Sequence, residues 1–115
     1  MEIQDMNQAE FMRRYSADRA ADILNDIAIR WYLSNGGSMP YSFAERPDKS
    51  NFEDTVDAFK IDLDQRRVTT AILHPIFKNG RRAYSVQVVK KFNLEKPDQR
   101  QRALILFQPW INPSY

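Results

Sequence analysis

Residues 68–92, VTTAILHPIFKNGRRAYSVQVVKKF, are the stretch on which the fold turns. Val68 to Phe77 and Ala83 to Phe92 are rich in β-branched and apolar residues, the composition of strands. Between them Asn79-Gly80 is a strong two-residue hairpin signal, because both central positions of that turn require positive φ. The two segments are therefore expected to pair antiparallel. Tyr84 and Phe92 share a phase with Val86 and Val88, which assigns all four to the core.

Upstream, residues 51–64 admit two patterns. Ser50 with Glu53 has capping-box spacing, and Phe52, Val56, Phe59 and Leu63 fit a helical stripe. Against that, Phe59, Ile61 and Leu63 alternate with Lys60, Asp62 and Asp64, which is strand periodicity. The reading adopted is a short helical turn near 51–55 and a strand over about 56–64. Residues 37–50, with Met39-Pro40, Arg46-Pro47 and scattered serines, read as a loop that Tyr41 and Phe43 pin to the core.

Downstream, Asn93 to Gln101, containing Pro97-Asp98, reads as a polar turn. Ala103 to Phe107 reads as a fourth strand covered on both faces, and Pro109 and Pro113, bracketing Trp110, end the ladder because proline cannot donate to it. No residue from 103 to 115 is charged. That segment is expected either to close the core or to form the contact edge of a symmetric homodimer, since exposed edges normally carry charges.

The N-terminal third is helical. Asn7 followed by Glu10 has capping-box spacing, with Phe11, Met12 and Tyr15 after it, so a helix starts near Gln8. Ser16 can cap a second start, leaving one long helix or two with a break at Tyr15–Ser16. From Ala17 the stripe Ala20, Leu24, Ile27 and Trp31, flanked by Ile23 and Ala28, recurs at helical spacing. Asn35-Gly36-Gly37 stops it.

The fold class expected is α+β: an N-terminal helix or helix pair packed on a four-stranded antiparallel meander, in one domain spanning 1–115. This element order resembles that of cystatin-like and NTF2-like domains. The resemblance is of order alone and assigns no functional residue.

Composition narrows the chemistry. Apolar residues make up 43% and charged residues 28% of 115 positions, a globular balance. There is no cysteine and one histidine, so disulfides and thiolate zinc sites are excluded, and no cofactor is expected. No apolar run long enough for a membrane span and no signal-peptide pattern is present, so no membrane insertion and a cytoplasmic location are expected.

Charge is unevenly placed. Residues 1–65 carry 13 acids against 7 bases, whereas residues 66–102 carry 10 bases against 2 acids, Glu95 and Asp98. The bases Arg66, Arg67, Lys78, Arg81, Arg82, Lys90, Lys91, Lys96, Arg100 and Arg102 are expected at strand ends and turns. Asp18, Asp22 and Asp26 share a helix face, relieved in part by Arg19 and Arg30, and read as a solvated face, a ridge for a basic partner or a hard-cation site. The acidic ridge and the basic strand ends are expected on different faces. Asp62 and Asp64 form a carboxylate pair on one strand face, in outward phase. His74, followed by Pro75, has no local nucleophile or carboxylate and reads as a structural or surface histidine.

These observations favour a non-catalytic protein-interaction or assembly module, such as a small phage or mobile-element inhibitor or a secretion or conjugation subunit. Its partner-binding residues would be Arg66, Arg67, Arg81, Arg82, Lys90, Lys91, Arg100, Arg102, Trp110, Asp18, Asp22 and Asp26. The second class is a nucleic-acid-binding protein using the basic hairpins, and the third a pocket enzyme.

Overall fold

The computed structural model describes residues 2–35, 43–47 and 54–112. A 3-10 turn at Ile3–Asp5 leads into α1, Gln8–Arg14, and then α2, Ala17–Ser34. Four strands come next, β1 at Ala44–Glu45, β2 at Val56–Asp62, β3 at Arg67–Lys78 and β4 at Arg81–Asn93. Helix α3, Pro97–Phe107, and a second 3-10 turn at Gln108–Trp110 complete the described elements. The architecture is α+β, with a four-stranded antiparallel sheet in the order β1-β2-β3-β4. Residues 36–42, 48–53 and 113–115 lie outside the described set, and with them Gly36, Gly37, Tyr41 and most of the helical turn expected near 51–55.

The helical start signals act as their chemistry dictates. Asn7 Oδ1 accepts the Glu10 amide at 2.9 Å, and Ser16 Oγ accepts the Arg19 amide at 3.1 Å. Each satisfies an amide that the first helical turn leaves without a partner. There are accordingly two helices, broken at Tyr15–Ser16.

The chain forms two packed units. In the first, residues 1–27, 61–68 and 92–115, the buried side chains include Ile3, Phe11, Ile23, Leu24, Leu94 and Leu104. Helix α3 packs on α1 and on the first 3-10 turn. In the second, residues 28–60 and 69–91, Phe43, Val56, Ala58, Ala71 and Leu73 form a buried cluster with Tyr84 against it. Trp31 meets Phe59 edge-on at 5.1 Å between ring centres, which seats the end of α2 on β2. The whole stripe Ala20, Leu24, Ile27 and Trp31 is buried, as its spacing requires.

Three strand assignments are corrected. The fourth strand is β1, inside the segment read as loop, where Ala44 pairs with Phe59 and Glu45 with Ala58. Asn35 holds it in place, its Nδ2 donating to the carbonyls of Trp31 at 3.0 Å and Glu45 at 2.9 Å.

Ala103 to Phe107 is helix, not strand. Pro97 occupies the first turn of α3, where its missing N–H costs nothing, and Asp98 complements the positive end of the dipole. Arg100, Ala103, Leu104 and Phe107 are the buried positions, at the i, i+3, i+4, i+7 spacing of one helical face. A dimer edge built from a strand at 103–107 is thereby removed.

The strand expected over 56–64 ends at Asp62. Asp62 Oδ1 accepts the Gln65 amide at 3.0 Å and turns the chain, so Asp64 lies in the turn and the two acids share no strand face.

Candidate functional site

The partner-binding residues expected from sequence do not form one site. Arg100 is buried, with 5% of its surface exposed. Its Nη1 donates to the Leu94 carbonyl at 2.8 Å, and its guanidinium lies 5.7 Å from the centre of the Phe11 ring. Burial lowers its pKa from the ordinary arginine value. It is a packing element of the first unit, not a contact residue, and this corrects its assignment. Arg102, two positions on, is exposed and pairs with Asp98 at 3.1 Å within α3. Trp110 is half-buried, its ring 6.5 Å from that of Phe107.

Nor are acid and base kept apart. Arg66 stands in the β2–β3 turn with φ of 51°, a left-handed backbone unusual for a side chain of its size. Its Nε donates to Asp18 Oδ1 at 2.7 Å, its Nη2 meets the same oxygen, and its Nη1 reaches Glu95 at 3.3 Å. The hydrogen bond and charge of Asp18, then the charge of Glu95, raise the Arg66 pKa. The first acid of the expected ridge is thus engaged by the first base of the expected basic surface, which overturns their separation at this pair. Asp22 is exposed and Asp26 half-buried. Among the described residues no group of three His, Cys, Asp or Glu side chains is placed to hold a metal ion.

The remaining bases gather on the β3–β4 hairpin, except Lys96, which stands at the amino end of α3. Asn79, with φ of 53°, and Gly80, with φ of 74°, make the turn that the sequence called for. Lys78, Arg81 and Arg82 flank it, exposed, and Lys90 and Lys91 are exposed near the other end of β4. Arg67 is exposed at the start of β3.

Among the described residues β4 is, with the two-residue β1, one of the sheet's two outer strands, and every residue from Ser85 to Lys91 is exposed. Phe92 is buried and Tyr84 half-buried, as their phase predicts, but Val86 and Val88 are not core. Val88 and Val89 are 49% and 51% exposed, and Phe77, at the end of β3, is 72% exposed. Alternation gives a side chain its face, and whether that face is covered depends on position across the sheet. His74 on β3 shares a 2.7 Å hydrogen bond with Gln87 of β4, so its ring is held by an amide.

The sequence reading missed one further constellation. Arg13, Arg14, Tyr15 and Arg19, at the corner between α1 and α2, line a half-open concavity of about 340 Å³. Its signal in the sequence was three arginines within seven positions across a helix break, unremarked because each was read only against its own helix.

No helix among the described residues is long and apolar enough to cross a membrane. Compared with known proteins, the chain matches no family model, no curated protein and no solved structure.

Proposed function

We propose that this chain is a non-catalytic protein-interaction module that takes up an extended, acidic segment of another protein along the outer edge of β4. The observation that carries the reading is the seven-residue exposed run Ser85–Lys91 on this outer strand of the sheet. The outer strand of a sheet offers backbone N–H and C=O groups with no neighbour on one side, and an added strand satisfies them. Exposed Val86, Val88 and Val89 supply apolar contact along it.

Charge selects the partner. From Arg66 to Leu94 the chain has no acidic residue, and Arg81, Arg82, Lys90 and Lys91 sit toward the two ends of β4. A second copy of β4 would set like charges against one another, whereas a strand with acidic flanks would complement them. An inhibitor or an assembly subunit works in this manner, by occupying a partner rather than turning over a substrate.

The test uses a pair of extended peptides, each a valine- and threonine-rich core, one flanked by glutamate and one by lysine. The acidic peptide should perturb the amides of 85–91 in NMR spectra, with affinity falling as salt rises, and the basic peptide should not. Proline at Val88 or at Val89 should abolish the response, since adjacent residues of a strand donate to opposite sides and one must face outward. Equal response to both peptides, or none, would refute the reading. Tighter binding of a single-stranded oligonucleotide on the same residues would replace it with the nucleic-acid alternative.

A further inference from the structure

The concavity at the α1–α2 corner is lined by three arginines and Tyr15. Arg13 and Arg14 close the last turn of α1, where cations complement the carboxyl end of the helix dipole. That accounts for bases at those two positions. It does not account for Arg19, which comes after the break, lines the same concavity, and extends its guanidinium over the Tyr15 ring at 6.0 Å.

None of the three enters an ion pair among the described residues. The acids nearest in sequence do not neutralise them. Asp18 is engaged by Arg66, and neither Glu10 nor Asp22 forms an ion pair among the described residues. The amino end of the 18-residue α2 adds its own positive potential at this corner. The platform is fixed: Tyr15 is buried and stacks on Phe11 at 5.4 Å between ring centres, and the Ser16 cap holds the first turn of α2. Three arginines lining one concavity without an ion-pair partner repel, and a multiply charged oxyanion relieves that repulsion while offering acceptors to several guanidinium forks at once.

We propose that this corner is a phosphate-binding site, its ligand the phosphate dianion either free or carried on a small phosphomonoester. The dianion suits the charge, and guanidinium groups match its oxygens in bidentate geometry. The site is independent of the β4 edge and shares no residue with it.

The experiment is a titration of the whole chain with inorganic phosphate and, separately, with O-phosphoserine. It tracks the Nε–Hε resonances of Arg13, Arg14 and Arg19, with sodium chloride at matched ionic strength as reference. Saturable shifts of all three are expected, and the tighter of the two ligands identifies the source of the phosphate. The double variant R13Q/R14Q, altered only at exposed positions, should unfold cooperatively within a few degrees of the parent, the loss being that of two exposed dipole contacts, and bind at least about tenfold more weakly. Binding should also weaken as pH falls through the second phosphate ionisation, about 6 for the phosphomonoester and higher for inorganic phosphate. Shifts no larger than those from chloride, or undiminished in R13Q/R14Q, would overturn the proposal.

Discussion

Replacing Arg100 by alanine separates a packing arginine from a surface one, because Arg102, two residues on, provides the control within the same helix. In the wild type the Arg100 guanidinium donates to the buried Leu94 carbonyl at 2.8 Å and lies on Phe11. A hydrogen bond from a charged donor contributes about 1.5–3 kcal/mol, and a cation–π contact about 0.5–1 kcal/mol. Removing the guanidinium also relieves its desolvation, which returns part of that sum. The net loss expected for Arg100→Ala is about 2 kcal/mol, or roughly 8 °C in melting temperature for a chain of this size. Arg102→Ala removes only an exposed i,i+4 pair and should cost about 0.5 kcal/mol or less. Urea denaturation of both variants and the parent, at one pH and one salt concentration, reads the difference directly. Equal midpoints for the two variants would refute the assignment of Arg100 to the core.

Four further substitutions probe the stripe, the hairpin and the first cap. Leu24→Asp places a charge at a fully buried position and should abolish cooperative thermal unfolding, so a variant that melts like the parent would put the α2 stripe at the surface. Gly80→Val should destabilise by about 1–2 kcal/mol through backbone strain alone, because φ is +74° while the space around its Cβ position is open; Asn79→Gly should be close to neutral by the same chemical denaturation. Asn7→Ala should cost about 1 kcal/mol and show faster hydrogen exchange at the Glu10 amide, the donor that Asn7 caps.

Helix starts were legible from sequence because caps are local: a side chain satisfies an amide three residues away, and both partners can be read together. The Asn79-Gly80 hairpin was legible for the same reason. Helix α3 was not, because Ala103 to Phe107 is five residues of unbroken apolar character in which a period of two cannot be told from 3.6. The position that would have decided it, Arg100, is polar and so drops out of a hydrophobic pattern although it is buried. Pro97-Asp98 fits a turn and a helix start equally well, and only the length of the element they open distinguishes the two.

β1 escaped notice because a two-residue strand has no periodicity; it exists through its pairing with Ala58 and Phe59 and through the Asn35 amide. The candidate site was partly legible. Charge placed the bases on the hairpin correctly, while exposure of Val86 and Val88 depends on which strand lies outermost, a property of the sheet and not of any window of sequence. The arginine corner depends on the angle between two helices, which no one-helix pattern reports.

The side chain of Gln101 donates at 3.1 Å to the carbonyls of both Ile3 and Met6, partners 98 and 95 positions away. Gln108 likewise reaches Glu2. A nascent chain therefore emits α1 long before α3, the segment that docks on it, leaves the ribosome. Phe11 and the residues around it wait for α3, whereas the β3–β4 hairpin can close as soon as its two strands have emerged. The first unit can thus close only after the strands of the second have been made, because its segment 92–115 follows them in sequence.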